Sequence, residues 1–300
     1  MLDIKRIDHI SQVVDDPEPV IALYCDLFGF QRAGDWAEEQ EGYRGTNFLV
    51  PGTSGIGWEL LAPTRQDSFV QRFLESPLGP GLHHVAMQVD SVGEAVRALQ
   101  AAAIEPWGAP NPANNDWHEV FIHPRDGHGF LFQFTSVHAE PWHEAPPPHT
   151  AGDAGPTLGI AAINHLSHAH PRREELAAWY ERVLGMSGIY AADGTDGPFA
   201  TAVLESPTGQ MRWEVLQPYG DDSFVQRFLE NRGPSMHHVT FQVGDWQRAV
   251  DACAHHGVPM FGERRGITDG ARWTEGFIHP QHTGGVLIQL FWEEQPGIWI

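Results

Sequence analysis

The sequence contains very few cationic side chains, and this limits the partners that the protein can bind. Lys5 is the only lysine, and the 300 residues carry a formal net charge of -21. Such a charge repels the phosphates of nucleic acids and, more weakly, a polyanionic substrate such as a coenzyme A ester. We therefore expect a neutral or weakly charged small-molecule substrate and no nucleic-acid partner.

Cysteines and long apolar runs are also scarce. Cys25 and Cys253 each lie in a segment with helical periodicity, so we expect two buried core thiols and neither a disulfide framework nor a cysteine metal cluster. No apolar stretch approaches the roughly 18 residues that a membrane helix needs. The first ten residues are charged and strand-like, unlike a signal peptide. We therefore expect a cytoplasmic protein with no membrane partner.

Histidine is the residue type that the sequence has in excess. The chain contains 18 histidines, and histidine is the commonest metal ligand and the usual proton-transfer group near neutral pH. The length and the 41% hydrophobic content allow one large domain or two smaller ones.

An internal repeat decides between one domain and two. Residues Asp67–Glu75 recur without change as Asp222–Glu230, 155 positions later. Further motifs keep nearly this offset: Trp58-Glu-Leu-Leu returns as Trp213-Glu-Val-Leu, Leu82-His-His-Val as Met236-His-His-Val, and Phe121-Ile-His-Pro as Phe277-Ile-His-Pro. The chain is therefore a tandem duplication.

The boundary between the two copies is predicted from composition. Residues 138–157 are rich in Pro, Gly and His and show no hydrophobic periodicity, which is typical of an exposed linker. We predict a first domain over 1–137, a linker over 138–157 and a second domain over 158–300.

Each domain is predicted to contain two strand-helix-strand units. In the first copy, Asp16-Pro17 has the pattern of a helix N-cap followed by proline in the first turn, and Gly29 ends that helix after Phe28. A strand over Ile7–Val14 precedes the helix. The other predicted elements are strands near 44–50, 57–61, 82–89, 119–123 and 130–134 and a helix near 92–102.

Alternation within the strands places a set of polar side chains on one face. Val85, Met87 and Val89 form an apolar face that should pack on helices, which leaves His84 on the opposite face. A glutamine amid apolar strand residues, such as Gln133, needs a polar partner. The same reasoning in both copies selects two histidines, a glutamate and a glutamine: His9, Glu59, His84 and Gln133, and then His165, Glu214, His238 and Gln289.

This combination of side chains predicts a metal site in each copy. Two imidazoles, a carboxylate and an amide oxygen suit a divalent first-row metal such as Zn, Co, Ni, Mn or Fe. A single histidine in a strand is more often a core residue, but here all four side chains are retained twice at nearly the same spacing. Four protein ligands on an octahedral ion would leave two adjacent positions for water or two substrate oxygens.

The motifs around these residues resemble the vicinal-oxygen-chelate (glyoxalase/bleomycin resistance/extradiol dioxygenase) superfamily, and within it the methylmalonyl-CoA epimerases. The resemblance covers nearly all of both copies, through segments such as Ile7-Asp-His9, Gly81-Leu-His-His84 and Gly129-Phe-Leu-Phe-Gln133. It implies an α+β fold of four βαβββ modules, which form two vicinal-oxygen-chelate domains with curved mixed sheets around metal sites. It also places the family's ligands on the same eight residues.

Two departures from the epimerase pattern argue against methylmalonyl-CoA epimerase activity itself. The last ligand strand of the epimerases ends in a glutamate that can also transfer a proton, whereas this chain has Gln133 and Gln289. The family's other catalytic carboxylate matches Thr46 or its neighbours in the first copy and Ala202 in the second. None of these side chains is a base.

A replacement base is predicted on a neighbouring strand. Glu119 and Glu275 alternate with apolar residues, so they could face the metal cavity and remove a proton next to a metal-bound carbonyl. The alternative is a solvent-facing or ion-paired strand glutamate. His123 and His279 are expected to cap a strand end or line the cavity mouth.

Three functions remain open at this point. The first is a metal-dependent epimerase, isomerase or lyase that acts through an enolate or enediolate of a small hydroxy ketone or related carbonyl compound. The second is an iron-dependent extradiol ring-cleaving dioxygenase, and the third is a metal-free resistance protein that binds a small molecule. The superfamily builds sites within one copy or between copies, so we expect either a monomer with pseudo-dimeric halves or a homodimer.

Overall fold

The computed structural model describes residues 1–53, 55–108, 119–136, 155–194 and 197–297. Most of the predicted linker, 138–154, lies outside the described residues, so the domain boundaries stay a prediction. Within the described part of the chain, no helix is long and apolar enough to cross a membrane.

The first copy consists of two modules, each with a strand, a helix and further strands. Its strands are β1 (Ile4–Val13), β2 (Gln31–Glu38), β3 (Tyr43–Leu49), β4 (Gly57–Pro63), β5 (Gly81–Val89), β6 (Glu119–Ile122) and β7 (Leu131–Ser136). Its helices are α1 (Pro17–Leu23), which continues as a π-helical turn over Tyr24–Phe28, α2 (Phe69–Leu74) and α3 (Val92–Ala101).

The second copy repeats this order and, among the described residues, has one further strand, β13. Its strands are β8 (Ile160–Ala169), β9 (Ser187–Asp193), β10 (Phe199–Glu205), β11 (Arg212–Pro218), β12 (Ser235–Val243), β13 (Met260–Thr268), β14 (Ala271–Ile278) and β15 (Leu287–Glu293). Its helices are α4 (Arg173–Trp179) with a π-helical turn over Tyr180–Leu184, α5 (Phe224–Arg232) and α6 (Trp246–His255), and a short 3-10 turn covers Pro280–His282.

Each copy forms one mixed sheet, and this confirms the predicted fold class. The first sheet has the order β2-β3-β4-β1-β5-β7-β6, and the second has the order β13-β14-β15-β12-β8-β11-β10-β9. Strand β5 is parallel to β7, and β6 is antiparallel to β7. Strands β12 and β15 are likewise parallel, whereas β14 and β15 are antiparallel.

The start and end of α1 follow from its sequence. The Asp16 side chain accepts a hydrogen bond from the Glu18 amide at 3.2 Å, and Pro17 lacks the amide that the first turn would leave unpaired. Gly29 ends the helical segment in the left-handed region, at φ 72°. Gly185 has the same conformation after α4, at φ 71°. The predicted helix end at Phe28 is therefore correct.

Contacts between Cα atoms divide the chain into two compact units, and each unit contains segments of both copies. One unit comprises 1–11, 83–141 and 166–237, and the other comprises 12–82, 142–165 and 238–300. In the second unit the rings of Phe28 and Phe30 lie 5.7 and 5.8 Å from that of Phe241. In the first unit the Phe132 ring lies 5.6 Å from Trp179 and 6.4 Å from Trp213. Each unit therefore has an aromatic core built from both copies.

Some elements were not predicted from the sequence. Strands β2 and β9 are mostly exposed edge strands, so neither shows the alternation of apolar and polar residues that identifies a half-buried strand. The identical nine-residue repeats contain α2 and most of α5, and neither helix was predicted. Cys253 is buried as expected, but Cys25 is only half-buried, and both thiols are free.

Candidate metal centres

The predicted ligands lie side by side in each sheet. Glu59, His9, His84 and Gln133 belong to four consecutive strands, β4, β1, β5 and β7, and Glu214, His165, His238 and Gln289 belong to β11, β8, β12 and β15. One side-chain nitrogen or oxygen from each of His9, Glu59 and His84 lies within 4.8 Å of the others. His165, Glu214 and His238 form the same cluster. All six residues are buried, and each triad could hold a metal ion.

The His9 imidazole is oriented as a metal ligand usually is. Its Nδ1 lies 2.9 Å from Asp8 Oδ2, so this carboxylate accepts the Nδ1 proton and leaves the Nε2 lone pair available. That Nε2 atom lies 3.3 Å from His84 Nε2. Gln88 Nε2 also donates to Asp8 Oδ1 at 2.9 Å, which holds the carboxylate in place.

His84 is kept neutral by its surroundings. Burial lowers its pKa well below the usual value, and the neighbouring His83 lowers it further. The Nδ1 atoms of His83 and His84 lie 2.8 Å apart, so one of the two rings donates to the other. Burial also lowers the pKa of His83 to about 4. Neutral imidazole is the form that binds metal.

Gln133 supplies the clearest sign that the first cluster fits a metal. Its Nε2 donates to Glu119 Oε2 at 2.5 Å, and this bond fixes the orientation of the amide. Its Oε1 atom is buried and accepts no hydrogen bond of ordinary distance and angle from the described residues, although the Gln133 side chain lies close enough to His84 to raise the pKa of that imidazole. A buried oxygen without a partner calls for a ligand, because desolvation without compensation is unfavourable by about 1 to 3 kcal/mol. A divalent cation between Gln133 and the triad would supply that partner.

The glutamine of the second cluster has hydrogen-bond partners in the protein. Gln289 Oε1 accepts from Thr240 Oγ1 at 2.5 Å and lies 3.2 Å from His238 Nε2. The same hydroxyl lies 2.9 Å from His165 Nε2. Position 240 corresponds to Ala86 in the first copy. Thr240 therefore contacts two predicted ligand atoms for which the first copy has no equivalent hydroxyl.

The remaining second-copy ligands are also held by hydrogen bonds. His165 Nδ1 lies 2.8 Å from Asn164 Oδ1, an amide oxygen at the position of the Asp8 carboxylate. Ser167 donates to Glu214 Oε2, and Thr201 Oγ1 donates to Glu214 Oε1 at 3.1 Å. The triad geometry is thus the same in both copies, but the polar neighbours differ.

The structure places both predicted bases beside the glutamines. Glu119 accepts a hydrogen bond from the Gln133 amide, and Glu275 Oε2 accepts one from Gln289 Nε2 at 2.9 Å. Glu275 also forms an ion pair with Arg264, whose Nε lies 3.3 Å from Oε1. The described residues give Glu119 only the bond from Gln133. Trp117 and His118, which belong to the same motif, lie outside the described residues.

The other sequence-selected positions lie away from the clusters. Thr46 pairs with Leu60 and Ala202 with Val215, so neither shares the sheet face of its copy's glutamate. Thr46 instead donates to Asp35 Oδ1 at 2.8 Å. The Nδ1 atoms of His123 and His279 accept backbone N–H groups two residues later, at 3.1 and 3.2 Å, and so each caps a turn.

The identical repeats cover part of the sheet face that carries the triads. Val70 of α2 packs against Val13 and Leu61, and Leu61 points to the same face as Glu59, two residues earlier. In the second copy Val225 of α5 packs against Ala169 and Leu216. This packing gives the repeated segment a structural role that its sequence alone did not reveal.

The chain belongs to the Glyoxalase/Bleomycin resistance protein/Dioxygenase superfamily, whose family model matches residues 8–121 and again 164–277. Mitochondrial methylmalonyl-CoA epimerase from Bos taurus is 32% identical over 142 residues, which cover 46% of this chain and 77% of the relative. Ethylmalonyl-CoA/methylmalonyl-CoA epimerase from Cereibacter sphaeroides is 27% identical over 136 residues, which cover 45% and 99%.

The fold of the whole chain is similar to that of a known enzyme. The structure of a triple mutant of 4-hydroxymandelate synthase from Streptomyces coelicolor matches with a TM-score of 0.71 and covers 97% of this chain and 93% of that chain. The sequence identity is 15%, so this likeness concerns the fold alone.

Proposed function

We propose that this protein is a metal-dependent epimerase, isomerase or lyase that removes a proton next to the carbonyl group of a small hydroxy ketone or related compound. The observation that carries the proposal is the arrangement of the first copy. A carboxylate, Glu119, is hydrogen-bonded to Gln133, whose side chain interacts with His84 of the triad from the adjacent strand.

Each of these residues has a distinct role in the proposal. His9, Glu59, His84 and the Oε1 atom of Gln133 would hold a divalent metal. A bound divalent metal supplies a Lewis acid that polarises a carbonyl oxygen and makes the adjacent C–H more acidic. Glu119 would accept that proton and return it to the same or a neighbouring carbon. The second copy would bind metal through His165, Glu214, His238 and Gln289, with Glu275 as its corresponding carboxylate.

The substrate is proposed to differ from that of methylmalonyl-CoA epimerase. Gln133 and Gln289 cannot act as bases, and Thr46 lies on the sheet face opposite Glu59. The net charge of -21 also disfavours a ligand with several phosphates. A small carbonyl compound of low charge suits the site better.

A ring-cleaving dioxygenase is the second candidate, and one observation favours it. Two histidines and one carboxylate converge in each copy, which is the ligand type of non-haem iron(II) oxygenases. Oxygen uptake with catechols by the iron-loaded protein distinguishes this reaction, because proton transfer consumes no oxygen.

The test of the leading proposal is hydrogen exchange in D2O. Protein loaded with Zn, Co, Ni, Mn or Fe is incubated with hydroxyacetone, acetoin and related hydroxy ketones, and NMR follows the loss of the C–H signal next to the carbonyl. In protein that carries His238→Ala, so that only the first copy can turn over, we expect Glu119→Gln to slow exchange by about 100- to 10,000-fold, the usual contribution of a general base, with the metal of the first copy retained. Glu119→Asp should restore part of the rate.

Two results contradict the proposal. The first is unchanged exchange in Glu119→Gln, and the second is oxygen uptake with catechols in the absence of any C–H exchange. Glu94→Gln is the matched control, because Glu94 lies on α3 and forms an ion pair with the exposed Arg97. This variant should exchange at the wild-type rate.

A further inference from the structure

A third group of metal-ligating side chains lies outside the two central clusters. His170 follows β8, His128 lies in the turn before β7, and Glu175 belongs to α4. One ligand atom from each of the three lies within 4.8 Å of the others. All three belong to the same compact unit. We propose that His128, His170 and Glu175 form an additional binding site for a divalent cation of the Zn, Ni or Cu type, independent of the function proposed above.

The two imidazoles face each other through their ring nitrogens. His128 Nδ1 lies 3.2 Å from His170 Nε2. The other nitrogen of His170 lies 2.8 Å from the carbonyl oxygen of Arg172, which can accept its proton. A backbone carbonyl that holds the outer nitrogen of an imidazole is a common support for a metal ligand. The backbone N–H of Arg172 also lies 3.1 Å from His170 Nδ1, and in the tautomer whose Nδ1 donates to the carbonyl oxygen the lone pair of His170 Nε2 is directed at His128.

The protonation states suit metal binding as well. Burial lowers the pKa of both His128 and His170, so both rings are neutral near pH 7. The hydrogen bond from Arg172 lowers the pKa of the Glu175 carboxyl, which is therefore ionised. Two neutral imidazoles and one carboxylate form a ligand set that suits Zn, Ni and Cu.

The backbone at His128 supports a specific role for this side chain. His128 adopts φ 56°, in the left-handed region that residues other than glycine rarely occupy. The position corresponds to Gly284 in the second copy, at φ 64°. Such a conformation is unfavourable for a non-glycine residue and is frequent at functional sites. The protein thus retains an imidazole where glycine would be less strained.

A third histidine holds this strained segment in place. His168 Nε2 lies 2.9 Å from the carbonyl oxygen of His128, and its Nδ1 lies 2.7 Å from the Tyr180 hydroxyl. The equivalent interaction in the other copy runs from Gln12 Nε2 to the carbonyl oxygen of Gly284 at 2.9 Å. His168 therefore serves as a structural support, and both its ring nitrogens are already engaged.

The three histidines have no histidine counterparts at the equivalent positions of the two copies. His128, His168 and His170 correspond to Gly284, Gln12 and Val14. A Cβ atom on Gly284 would lie 2.7 Å from Val14 Cγ1, so this place is filled by apolar packing in the other copy. In both places a strand side chain hydrogen-bonds to the carbonyl oxygen of residue 128 or 284, but the surrounding residues are histidines in one place and Gly, Gln and Val in the other.

The accessibility of the three residues indicates a site at the surface. His170 is buried, His128 is half-buried beside the Trp179 ring at 5.3 Å, and Glu175 is exposed. Arg172 pairs with Glu175 and must yield part of this contact to an incoming cation. We therefore expect weaker binding and faster exchange than at a fully buried site.

The test measures zinc binding to the full chain by equilibrium dialysis and elemental analysis. The starting protein carries His84→Ala and His238→Ala, which remove one histidine from each central triad. We expect one zinc per chain in this protein and none after His170→Val is added, at the same free zinc concentration. The valine is the residue of the equivalent position 14, so the substitution should be compatible with folding.

Two further variants complete the design. His128→Gly introduces the residue of position 284, relieves the left-handed strain and should abolish binding with the thermal stability maintained. His255→Ala is the control, because His255 and His256 form an exposed imidazole pair elsewhere, with rings 5.0 Å apart. Zinc that persists in both His170→Val and His128→Gly overturns the proposal, as does an equal loss in His255→Ala. Protein that carries His170→Val as its only substitution keeps both central clusters and should bind one zinc fewer than the wild type.

Discussion

The two central clusters have the same ligand types on the same strands, yet their immediate neighbours differ. In the first copy the Gln133 Oε1 atom accepts no hydrogen bond of ordinary distance and angle from the described residues, and Ala86 has no polar side chain to offer one. In the second copy Thr240 supplies a hydroxyl to Gln289 Oε1 and lies close to His165 Nε2. The ligands were kept after duplication, whereas the residues that support them diverged.

This difference has an energetic consequence. A metal entering the first cluster satisfies an oxygen that otherwise has no partner, whereas a metal entering the second must replace hydrogen bonds that already exist. The residues that hydrogen-bond to the first histidine of each triad also favour metal binding in the first copy. The Asp8 carboxylate raises the basicity of the His9 imidazole more than the Asn164 amide raises that of His165. We therefore expect tighter metal binding and most of the turnover in the first copy.

The largest effect is expected from removing a histidine ligand from one copy at a time. Because even residues that only support a ligand change metal affinity by about 10- to 100-fold, His84→Ala should remove the tightest-bound metal and most of the proton exchange. His238→Ala should remove a weaker-bound metal and leave most of the exchange. Elemental analysis after dialysis at several free zinc concentrations checks both variants. The expected difference between the copies is contradicted if His238→Ala lowers metal affinity and proton exchange more than His84→Ala does.

Exchanging Asp8 and Asn164, which hydrogen-bond to His9 and His165, should change metal affinity by an intermediate amount. Asp8→Asn should weaken metal binding in the first copy by about 10-fold, and Asn164→Asp should strengthen it in the second by a similar factor. Zinc dissociation constants are measured with the other copy inactivated by its histidine substitution. Asp90→Asn, at an exposed partner of Lys5, is the control and should change neither constant. Equal effects of Asp90→Asn and Asp8→Asn would point to overall charge instead.

The smallest expected effect comes from moving the hydroxyl between copies. Thr240→Ala should strengthen metal binding in the second copy by about 5-fold, because one buried hydrogen bond is worth about 1 kcal/mol net. Ala86→Thr should weaken metal binding in the first copy by a similar factor. The same dissociation constants are the measurement. Weaker binding in Thr240→Ala would instead show that the hydroxyl assists the metal.

Most of the strand framework could be predicted from the sequence, because its central strands combine apolar runs with single polar residues. The identical repeats and the shared offsets established the duplication, and alternation placed His84 and Gln133 on one face. Edge strands β2 and β9 were missed, since mostly exposed strands lack a distinct apolar face. The cluster of His128, His170 and Glu175 was missed as well. His128 lies 42 positions before His170 in the sequence, and no repeat marks the three residues.

The sequence by itself determined the number of copies and the set of eight candidate ligands, because repeats and strand periodicity are local properties of the chain, and its resemblance to a known superfamily implied the α+β class. Only the tertiary structure decided which polar atoms remain without partners and which are satisfied. That outcome depends on contacts such as Thr240 with Gln289 and His128 with His170, which join separate strands and turns. Hydrogen bonds require positions accurate to a few tenths of an ångström, and side-chain patterns along a sequence do not contain that information.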